Sequence, residues 1–394
     1  MRGHKGFKFR IYPSAKQEQR LLAWESALRF LWNLALEQRK LGLARPARVF
    51  PTAFDQINEL KALRAELPFL ADVPRNVCAQ LLVELDKAWQ RCFSRLARAP
   101  RWKRKGKDCL GLTEPHLKVW RLQGHTLRFP KLGNLRTVVH RPLEGRPKSC
   151  TIRRDGDQWF VSIVCELELP DPLPRTEPVV ALDRGITHLI ADSDGKLVEN
   201  PKPLEVALER LAKAQRVVSR RKKGSSNRKK GVCRVNRLHR KIRRQRDHVL
   251  HTLSAAYAKS HGTVVVERLQ TANMLQNRSL ARRIADAGWG RLVEFLRYKL
   301  AWRGGRLVEV TAAYSSQTCS ACSAVDAESR YRESFRCTSC GYVDHADLNA
   351  AKVLKSRVNR SALPVEGTPP EGTRRSRKVV TLRVPRRPPQ SSAL

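Results

Sequence analysis

The apolar positions of the first hundred residues follow two different spacings. Over residues 6–12 apolar and basic side chains alternate until Pro13, which is typical of a half-buried strand. Ser14 then stands where a helix N-cap belongs, and from residue 21 apolar residues recur every three or four positions. We therefore predict one strand followed by a helical region. The predicted helices cover residues 14–43, 52–66 and 77–96.

A spacing of two returns near residue 117 and persists to residue 167. Short alternating segments are separated by Gly, Pro and Asp turns, a pattern that predicts a small β-barrel or sandwich. The predicted strands cover residues 119–122, 126–129, 135–140, 150–154 and 159–167. Three prolines within 170–174 cannot continue a ladder of strand hydrogen bonds, so this segment is predicted to be a stiff linker.

Short apolar strands and long helices make up the rest of the pattern. Residues 179–182 and 264–266 are continuous apolar runs, which predict buried strands. Further strands are predicted over 187–191, 197–199 and 307–310, and helices over 204–222, 233–260, 289–302 and from 348. At 394 residues the chain is long enough for two or three domains.

The charge of the chain favours a polyanionic partner. Lys and Arg number 78 against 36 Asp and Glu, and the resulting net charge of +42 repels itself unless a polyanion is near. Fifteen of these cations lie between residues 216 and 246, which contain no acid, and phosphate binding favours that composition. A basic segment at 98–107 carries Trp102, which could stack on a base or lie in a core. Without an apolar run of 18 residues or an apolar leader, we expect an intracellular protein with no membrane partner.

Four of the ten cysteines form two C-x-x-C pairs. Cys319 and Cys322 are separated by 14 residues from Cys337 and Cys340. Four thiolates at this spacing give the tetrahedral cage of a structural Zn²⁺, whose closed ligand shell supports folding rather than catalysis. The alternative is that the four are reduced thiols packed as small hydrophobic side chains.

Three acidic residues stand at the ends of predicted buried elements. Asp183 and Glu267 each follow an apolar strand, and Asp347 opens the last predicted helix. Three converging carboxylates are what two Mg²⁺ ions need to act on a phosphodiester. Taken singly, each acid has an ordinary alternative as a turn residue, a surface ion pair with Arg268 or a helix N-cap, respectively.

These segments, in this order, resemble the motifs of TnpB proteins, which are transposon-encoded, RNA-guided endonucleases related to type V CRISPR effectors. The matching segments are 181–191, 264–269, 314–322, 337–342 and 344–351, and residues 7–13 resemble the family's opening. The resemblance spans nearly the whole chain and is strongest over 179–354. Two departures leave every ligand in place. Ser323 stands where the family usually has Gly, and Arg268 where it often has a second acid.

The resemblance implies an α/β RNase H-like (RuvC) nuclease domain with an inserted zinc ribbon, and an N-terminal β-barrel that carries an inserted helical domain. It implies that Asp183, Glu267 and Asp347 are the catalytic ligands of two Mg²⁺ ions. Asp344 is a rival for the third position, but Asp347 directly precedes the family's x-Asn-Ala-Ala pattern. The implied partners are a guide RNA and double- and single-stranded DNA, with the guide supplying sequence specificity by base pairing.

The implied domains follow the chain in order. They are a first barrel strand (1–13), a helical domain (14–115), the rest of the barrel (116–170), a linker (171–177), a nuclease domain (178–356) with a basic hairpin (204–260) and a zinc ribbon (314–343), and a disordered basic tail (357–394). The predicted nucleic-acid contacts are Arg220, Arg221, Lys222, Arg237, Arg240, Arg243, Arg244, Trp102, Lys103 and Arg104.

We expect a cytoplasmic, nucleoid-associated prokaryotic protein. Two alternatives stay open. One is a guide-independent transposase or resolvase of RNase H-like fold, and the other is a zinc-containing nucleic-acid-binding regulator with an inactive nuclease fold. A discrete RNA that co-purifies with the protein would favour the guide-dependent enzyme.

Overall fold

The computed structural model describes residues 2–44, 50–174 and 177–360. Part of the predicted linker, residues 175 and 176, lies outside the described residues. The predicted tail begins too early, because its first four residues continue the last helix to Arg360, and the remainder of the tail lies outside the described residues. Among the described helices, none is long and apolar enough to cross a membrane.

The first half of the described chain runs from a strand through helices to further strands. β1 spans Arg2–Tyr12 and ends before Pro13, as the alternation predicts. The helices are α1 (Ala15–Ala44), α2 (Ala53–Glu66), α3 (Pro68–Asp72) and α4 (Arg75–Phe93). The strands are β2 (Leu112–Glu114), β3 (Arg121–Gln123), β4 (Thr126–Phe129), β5 (Gly133–Val138), β6 (Arg146–Asp155) and β7 (Gln158–Glu168).

These strands form one antiparallel sheet in the order β2-β6-β7-β1-β5-β4-β3. The described strands do not close into the predicted barrel. The two end strands, β2 and β3, are three residues long and each pairs on one side only. The sheet is therefore open, and the first strand of the chain lies at its centre.

Helices cover the apolar face of this sheet, so closure is not needed to bury it. Phe7, Phe9 and Ile11 alternate along β1 and are buried in one hydrophobic core with Trp24 and Leu28 of α1. Burying such side chains contributes about 1.5–3 kcal/mol each. The helical segment and the sheet thus share a core, although the helices come between β1 and β2 in the chain.

The second half contains a mixed sheet with long helices. Its strands are β8 (Val179–Asp183), β9 (His188–Asp192), β10 (Leu197–Glu199), β11 (Thr263–Arg268) and β12 (Arg306–Thr311), followed by β13 (Arg330–Tyr331), β14 (Ser334–Arg336) and β15 (Val343–His345) in a separate small sheet. Its helices are α5 (Pro203–Arg220), α6 (Ser226–Ser260), α7 (Thr271–Met274), α8 (Ala281–Ala287), α9 (Trp289–Ala301) and α10 (Ala346–Arg360). The basic hairpin is therefore almost all helix, because α6 starts seven residues earlier than predicted.

The five-stranded sheet has the order β10-β9-β8-β11-β12, with β8, β11 and β12 parallel and β9 and β10 antiparallel to their neighbours. Successive side chains of a strand point to opposite faces. Val180, Leu182 and Val264 accordingly join the core formed with α6 and α9, whereas Ala181 and Val265 pack with α10. Helices on both faces explain why these strands are apolar throughout.

Candidate functional site

Two carboxylates leave adjacent parallel strands at the same edge of the five-stranded sheet. β8 and β11 pair with Leu182 beside Val266, so the residues that follow, Asp183 and Glu267, emerge next to each other. Asp347 lies in the first turn of α10, the helix that packs against β8. The structure therefore brings together the three acids that the sequence predicts, which lie at least 80 positions apart along the chain.

Burial and mutual repulsion dominate the electrostatics of this edge. Burial, together with the negative charges of Glu267 and Asp347, raises the pKa of Asp183 to about 8. Burial also raises the pKa of Glu267, although the guanidinium of Arg184 opposes that rise. Partly desolvated carboxylates that repel each other are costly unless a cation neutralises them, and their oxygens suit Mg²⁺. The donor set thus fits the implied metal.

Arg184 is a buried cation at this edge that the sequence analysis does not predict. Its Nη2 donates a hydrogen bond to the main-chain carbonyl of Glu267, and its Nε lies 3.8 Å from Glu267 Oε1. Burial lowers the pKa of this guanidinium, and the charges of Glu267, Glu309 and Asp183 oppose that effect. Arg184 therefore ties the end of β8 to the end of β11. The signal available in the sequence was its position directly after Asp183.

Asp344, the rival third acid, has partners of its own. Tyr342 Oη donates to Asp344 Oδ2 over 2.9 Å, and Lys352 Nζ donates to the same oxygen over 2.8 Å. Burial would raise the pKa of Asp344, but the hydrogen bonds from Lys352 and Tyr342 outweigh burial and lower it. Asp347, not Asp344, is among the charges that raise the pKa of Asp183. This arrangement favours Asp347 as the third ligand.

Two histidines and an arginine surround Asp347. His188 Nδ1 lies 3.7 Å from Asp347 Oδ2, and Arg330 Nη2 donates to Asp347 Oδ1 over 3.0 Å. The backbone N–H of Asp347 donates to His345 Nδ1 over 3.2 Å. Sequence reasoning missed all three residues. His345 could have been noticed two positions before Asp347, whereas His188 reaches the acid only through the fold.

The four predicted cysteines lie in one cluster. Cys319 Sγ is 3.7 Å from Cys340 Sγ, and Cys322 Sγ is 3.6 Å from Cys337 Sγ. A tetrahedron with Zn–S bonds of about 2.3 Å has edges of roughly 3.8 Å, so these separations fit a Zn²⁺ cage. A hydrogen bond from the backbone N–H of Cys340 helps to lower the pKa of Cys337 to about 6, which favours the thiolate that binds metal.

Asn349 connects the cysteine cluster to α10. This fully buried side chain accepts a hydrogen bond from Ser320 N over 2.9 Å and donates one to the carbonyl of Thr318 over 2.8 Å. Both partners flank Cys319. Because Asn349 follows Asp347 by two residues, the position of the acid depends on the zinc ribbon.

Part of the predicted nucleic-acid surface faces the protein instead. Arg240 is buried and donates to the carbonyl of Asp155 and to Asp157 Oδ1 in the β6–β7 turn. Arg237 Nε donates to Asp157 Oδ2 over 2.9 Å, and Arg243 Nη2 donates to Asp155 Oδ2 over 2.6 Å. The hydrogen bond from Arg240 lowers the pKa of Asp157 to about 2. The guanidinium of Arg240 already holds α6 against the first sheet, and the phosphate contact predicted for this residue stays a prediction.

Other predicted contacts differ in how they are held. Arg220 and Lys222 are exposed at the hairpin tip, where Arg221 donates to the carbonyl of Asn227. Arg244 Nη2 donates to Gln158 Oε1 over 2.9 Å and lies over the ring of Phe160. The exposed pair at the tip remains accessible to phosphates.

The basic loop at 98–107 is anchored to α1 and presents its side chains outward. Asn33 accepts from Lys103 N over 2.8 Å and donates to the carbonyl of Lys103 over 3.1 Å. Trp102 is 40% exposed, so it is not a core residue. Arg104 is exposed as well. A cavity of about 800 Å³ separates this loop and α1 from α6, and its lining includes Arg29, Lys105, Lys107, Arg154 and Lys229.

Three family models match parts of the chain. Residues 162–278 match a model described as a probable transposase, and residues 289–354 match the TNB domain of Cas12f1-like proteins. Residues 1–44 match a model described as a helix-turn-helix domain. Over residues 2–44, however, the structure has β1 followed by the single continuous helix α1.

Named relatives cover most of the chain. A protein of Streptomyces pristinaespiralis that bears the name RNA-guided DNA endonuclease is 35% identical over 88% of this chain and 88% of its own length. InsQ of Escherichia coli K12, which bears the same name, is 30% identical over 89% of this chain and 92% of its own length. A solved structure of a Cas12f1-sgRNA-target DNA complex is similar in fold, with a TM-score of 0.57, 12% identity and coverage of 90% of this chain and 98% of that one. With relatives of this identity over nearly nine tenths of its length, the chain belongs to the TnpB family of RNA-guided DNA endonucleases.

Proposed function

We propose that this chain cuts DNA at sites chosen by a bound guide RNA, and that Asp183, Glu267 and Asp347 form the cutting site. The observation that carries the proposal is the convergence of these acids at one edge of the sheet, where burial and the repulsion between them raise the pKa of Asp183. The three carboxylates would hold two Mg²⁺ ions. When bound, Mg²⁺ would supply Lewis-acid stabilisation of the attacking and leaving oxygens of a phosphodiester.

The residues around the three acids fix their positions. Arg184 holds the end of β11, so Glu267 keeps its place beside Asp183. Arg330 and His188 contact the two oxygens of Asp347. Metal ligands that are held by a further shell of contacts keep their geometry during reaction.

The basic surfaces support the guide RNA and DNA as partners. The exposed tip of the α5–α6 hairpin offers cations, and the loop at 98–107 offers an exposed tryptophan. Lys105 and Lys107 of that loop and Lys229 of α6 line a basic cavity. Cations neutralise phosphates without regard to sequence, and aromatic rings stack on any base. Specificity would then come from pairing between guide and target, with the protein reading a short adjacent duplex motif.

We further propose a functional division at the linker. The N-terminal sheet with its helices, residues 1–170, would bind RNA and DNA together with the exposed hairpin tip, and the three carboxylates within residues 178–356 would cut. The docking of α6 on the β6–β7 turn through Arg240 supports this division, because it fixes the nuclease half against the nucleic-acid-binding half.

The direct test expresses the chain together with its native flanking DNA, sequences the RNA that co-purifies and measures cleavage of a matching plasmid target in Mg²⁺. We expect one discrete RNA and cleavage that depends on it. Asp183→Ala, Glu267→Ala and Asp347→Ala should each slow cleavage by at least about 100-fold, because each removes a metal ligand, while RNA binding persists.

Asp344→Asn is the matched control, since Asp344 pairs with Lys352 and should tolerate the change within about tenfold. If Asp344→Asn is inactive and Asp347→Ala active, the third ligand is misassigned. Cleavage by protein stripped of RNA would favour the guide-independent transposase or resolvase. Binding without cleavage would favour the regulator.

A further inference from the structure

We infer that His188, His345 and Asp347 form a nitrogen-containing metal position, suited to a transition-metal ion, which shares Asp347 with the carboxylate edge. One potential ligand atom from each residue lies within 4.8 Å of the others. The two imidazole rings face each other edge to plane, with centroids 5.3 Å apart and an interplanar angle of 75°. Two imidazoles and one carboxylate are thus assembled from β9, β15 and α10.

An unsatisfied atom points to a ligand at this position. His188 Nδ1 is buried and makes no hydrogen bond to any residue that the structure describes. It lies 3.7 Å from Asp347 Oδ2, too far for a hydrogen bond and close enough for both atoms to bind one ion after a small movement. A buried polar atom without a partner is costly, so a cation between these atoms would relieve the cost.

The other contacts of Asp347 leave the required oxygen available. Arg330 engages Oδ1, whereas Oδ2 faces His188. His345 Nδ1 accepts the backbone N–H of Asp347 over 3.2 Å, a long hydrogen bond that metal binding through this nitrogen would replace. Imidazole nitrogens suit Zn²⁺, Fe²⁺ or Ni²⁺, whereas Mg²⁺ prefers oxygen ligands; Mn²⁺ binds more weakly than these transition metals but can serve as a paramagnetic probe of the position. Two chemically different positions therefore meet at Asp347.

The inference depends on the proposed function only through the shared acid, and its test does not need DNA cleavage. Untagged, full-length protein that holds one Zn²⁺ per chain, enough for the four cysteines only, is titrated with Mn²⁺ in the absence of nucleic acid. Pulsed electron paramagnetic resonance then reports whether a ¹⁴N nucleus couples to the bound Mn²⁺, which only a nitrogen ligand can produce. We expect ¹⁴N coupling in the wild-type protein.

His188→Gln and His345→Gln should each weaken Mn²⁺ binding at least about tenfold, and the double variant should lose the ¹⁴N coupling. His261→Gln is the matched control, because His261 also faces a carboxylate, Asp194, across 3.2 Å but lies outside the cluster. It should keep the coupling. If bound Mn²⁺ shows no ¹⁴N coupling, if Mn²⁺ does not bind, or if the double variant keeps the coupling, the inference is overturned.

Asp183→Asn separates this inference from the proposed function. The substitution should abolish Mg²⁺-dependent cleavage and leave ¹⁴N coupling in place, because Asp183 is not one of the three ligands. Cleavage-deficient wild-type protein that still shows the coupling would refute the nuclease and keep the metal position. An active nuclease without the ¹⁴N coupling would keep the proposed function and refute the metal position.

Discussion

Asp183 carries the clearest electrostatic cost at the carboxylate edge. It is a half-buried acid whose pKa is raised by burial and by two neighbouring negative charges. Asn has the same shape and no charge, so Asp183→Asn should stabilise the protein when no Mg²⁺ is present. Relief of about 1–2 kcal/mol would raise the melting temperature by roughly 2–6 °C. The measurement is thermal unfolding of zinc-loaded protein in buffer without Mg²⁺.

Added Mg²⁺ should raise the melting temperature of the wild-type protein and have little effect on Asp183→Asn, because a ligand that binds the folded state stabilises it. Asp344→Asn is the control, because it also replaces a partly buried acid of this half of the chain with its amide. It loses the ion pair with Lys352 and should not gain stability. An Asp183→Asn protein no more stable than wild type without Mg²⁺ would show that the three acids do not repel each other as the structure indicates.

The sequence predicts which acids lie at this edge but not what surrounds them. An apolar run that ends in an acid marks Asp183 and Glu267, since strand and charge are adjacent in the chain. Arg184 and His188 have no such mark. Their contacts with Glu267 and Asp347 arise from strand pairing and from the packing of α10, which join residues more than 80 positions apart.

The zinc ribbon is an element whose effect should reach the carboxylate edge. Asn349 and Arg330 connect the ribbon to α10 and to Asp347. We expect Cys322→Ser to lose the single Zn²⁺ and to slow cleavage at least about tenfold while RNA binding persists, because metal binding contributes to folding of the segment. Elemental analysis and limited proteolysis within 314–343 check the first step.

Cys233→Ser is the matched control, since Cys233 is an exposed thiol on α6 outside the cluster. It should retain zinc, protease resistance and activity. Asn349→Ala should retain zinc yet slow cleavage, because it removes the hydrogen bonds between α10 and the zinc ribbon and leaves the four cysteines in place. Freshly purified active protein without zinc would contradict this account.

Long elements are easier to predict than short ones or than the shape of a sheet. The periodicity of β1, α1 and β7 extends over 11 residues or more, which averages out local exceptions. β2 and α3 are too short to show a period. The predicted barrel is not formed because alternation shows which face of a strand is apolar but not what covers it, and here the helices do.

At the scale of the whole molecule, the number of cations in the hairpin can be read from the sequence, but which of them form ion pairs cannot. Arg237, Arg240 and Arg243 are as basic as Arg220 and Lys222, but the first three contact Asp155 or Asp157. The two aspartates lie some 80 residues earlier in the chain, in a turn of the other half. Only the fold shows that the same hairpin docks the two halves through one set of cations and leaves another set exposed.

This division predicts different salt dependences for two substitutions that remove equal charge. Arg220→Gln/Lys222→Gln removes two exposed cations, and each phosphate that is no longer neutralised should reduce the slope of log affinity against log salt by about 0.7 to 0.9. The double change should therefore flatten the slope for guide RNA by roughly 1.4 to 1.8. Arg237→Gln/Arg243→Gln removes two cations that already face aspartates, so its slope should change by less than half as much.

The variant that changes the salt slope less should lose more thermal stability. The Arg237→Gln/Arg243→Gln protein lacks two ion pairs between α6 and the β6–β7 turn, so its melting temperature should fall, whereas that of the tip variant should not. Binding titrations at several salt concentrations, on guide RNA and on a scrambled RNA of equal length, provide both slopes. Equal salt slopes for the two variants would mean that the paired and the exposed cations contact RNA alike. In that case the hairpin would have to leave the first sheet when RNA binds.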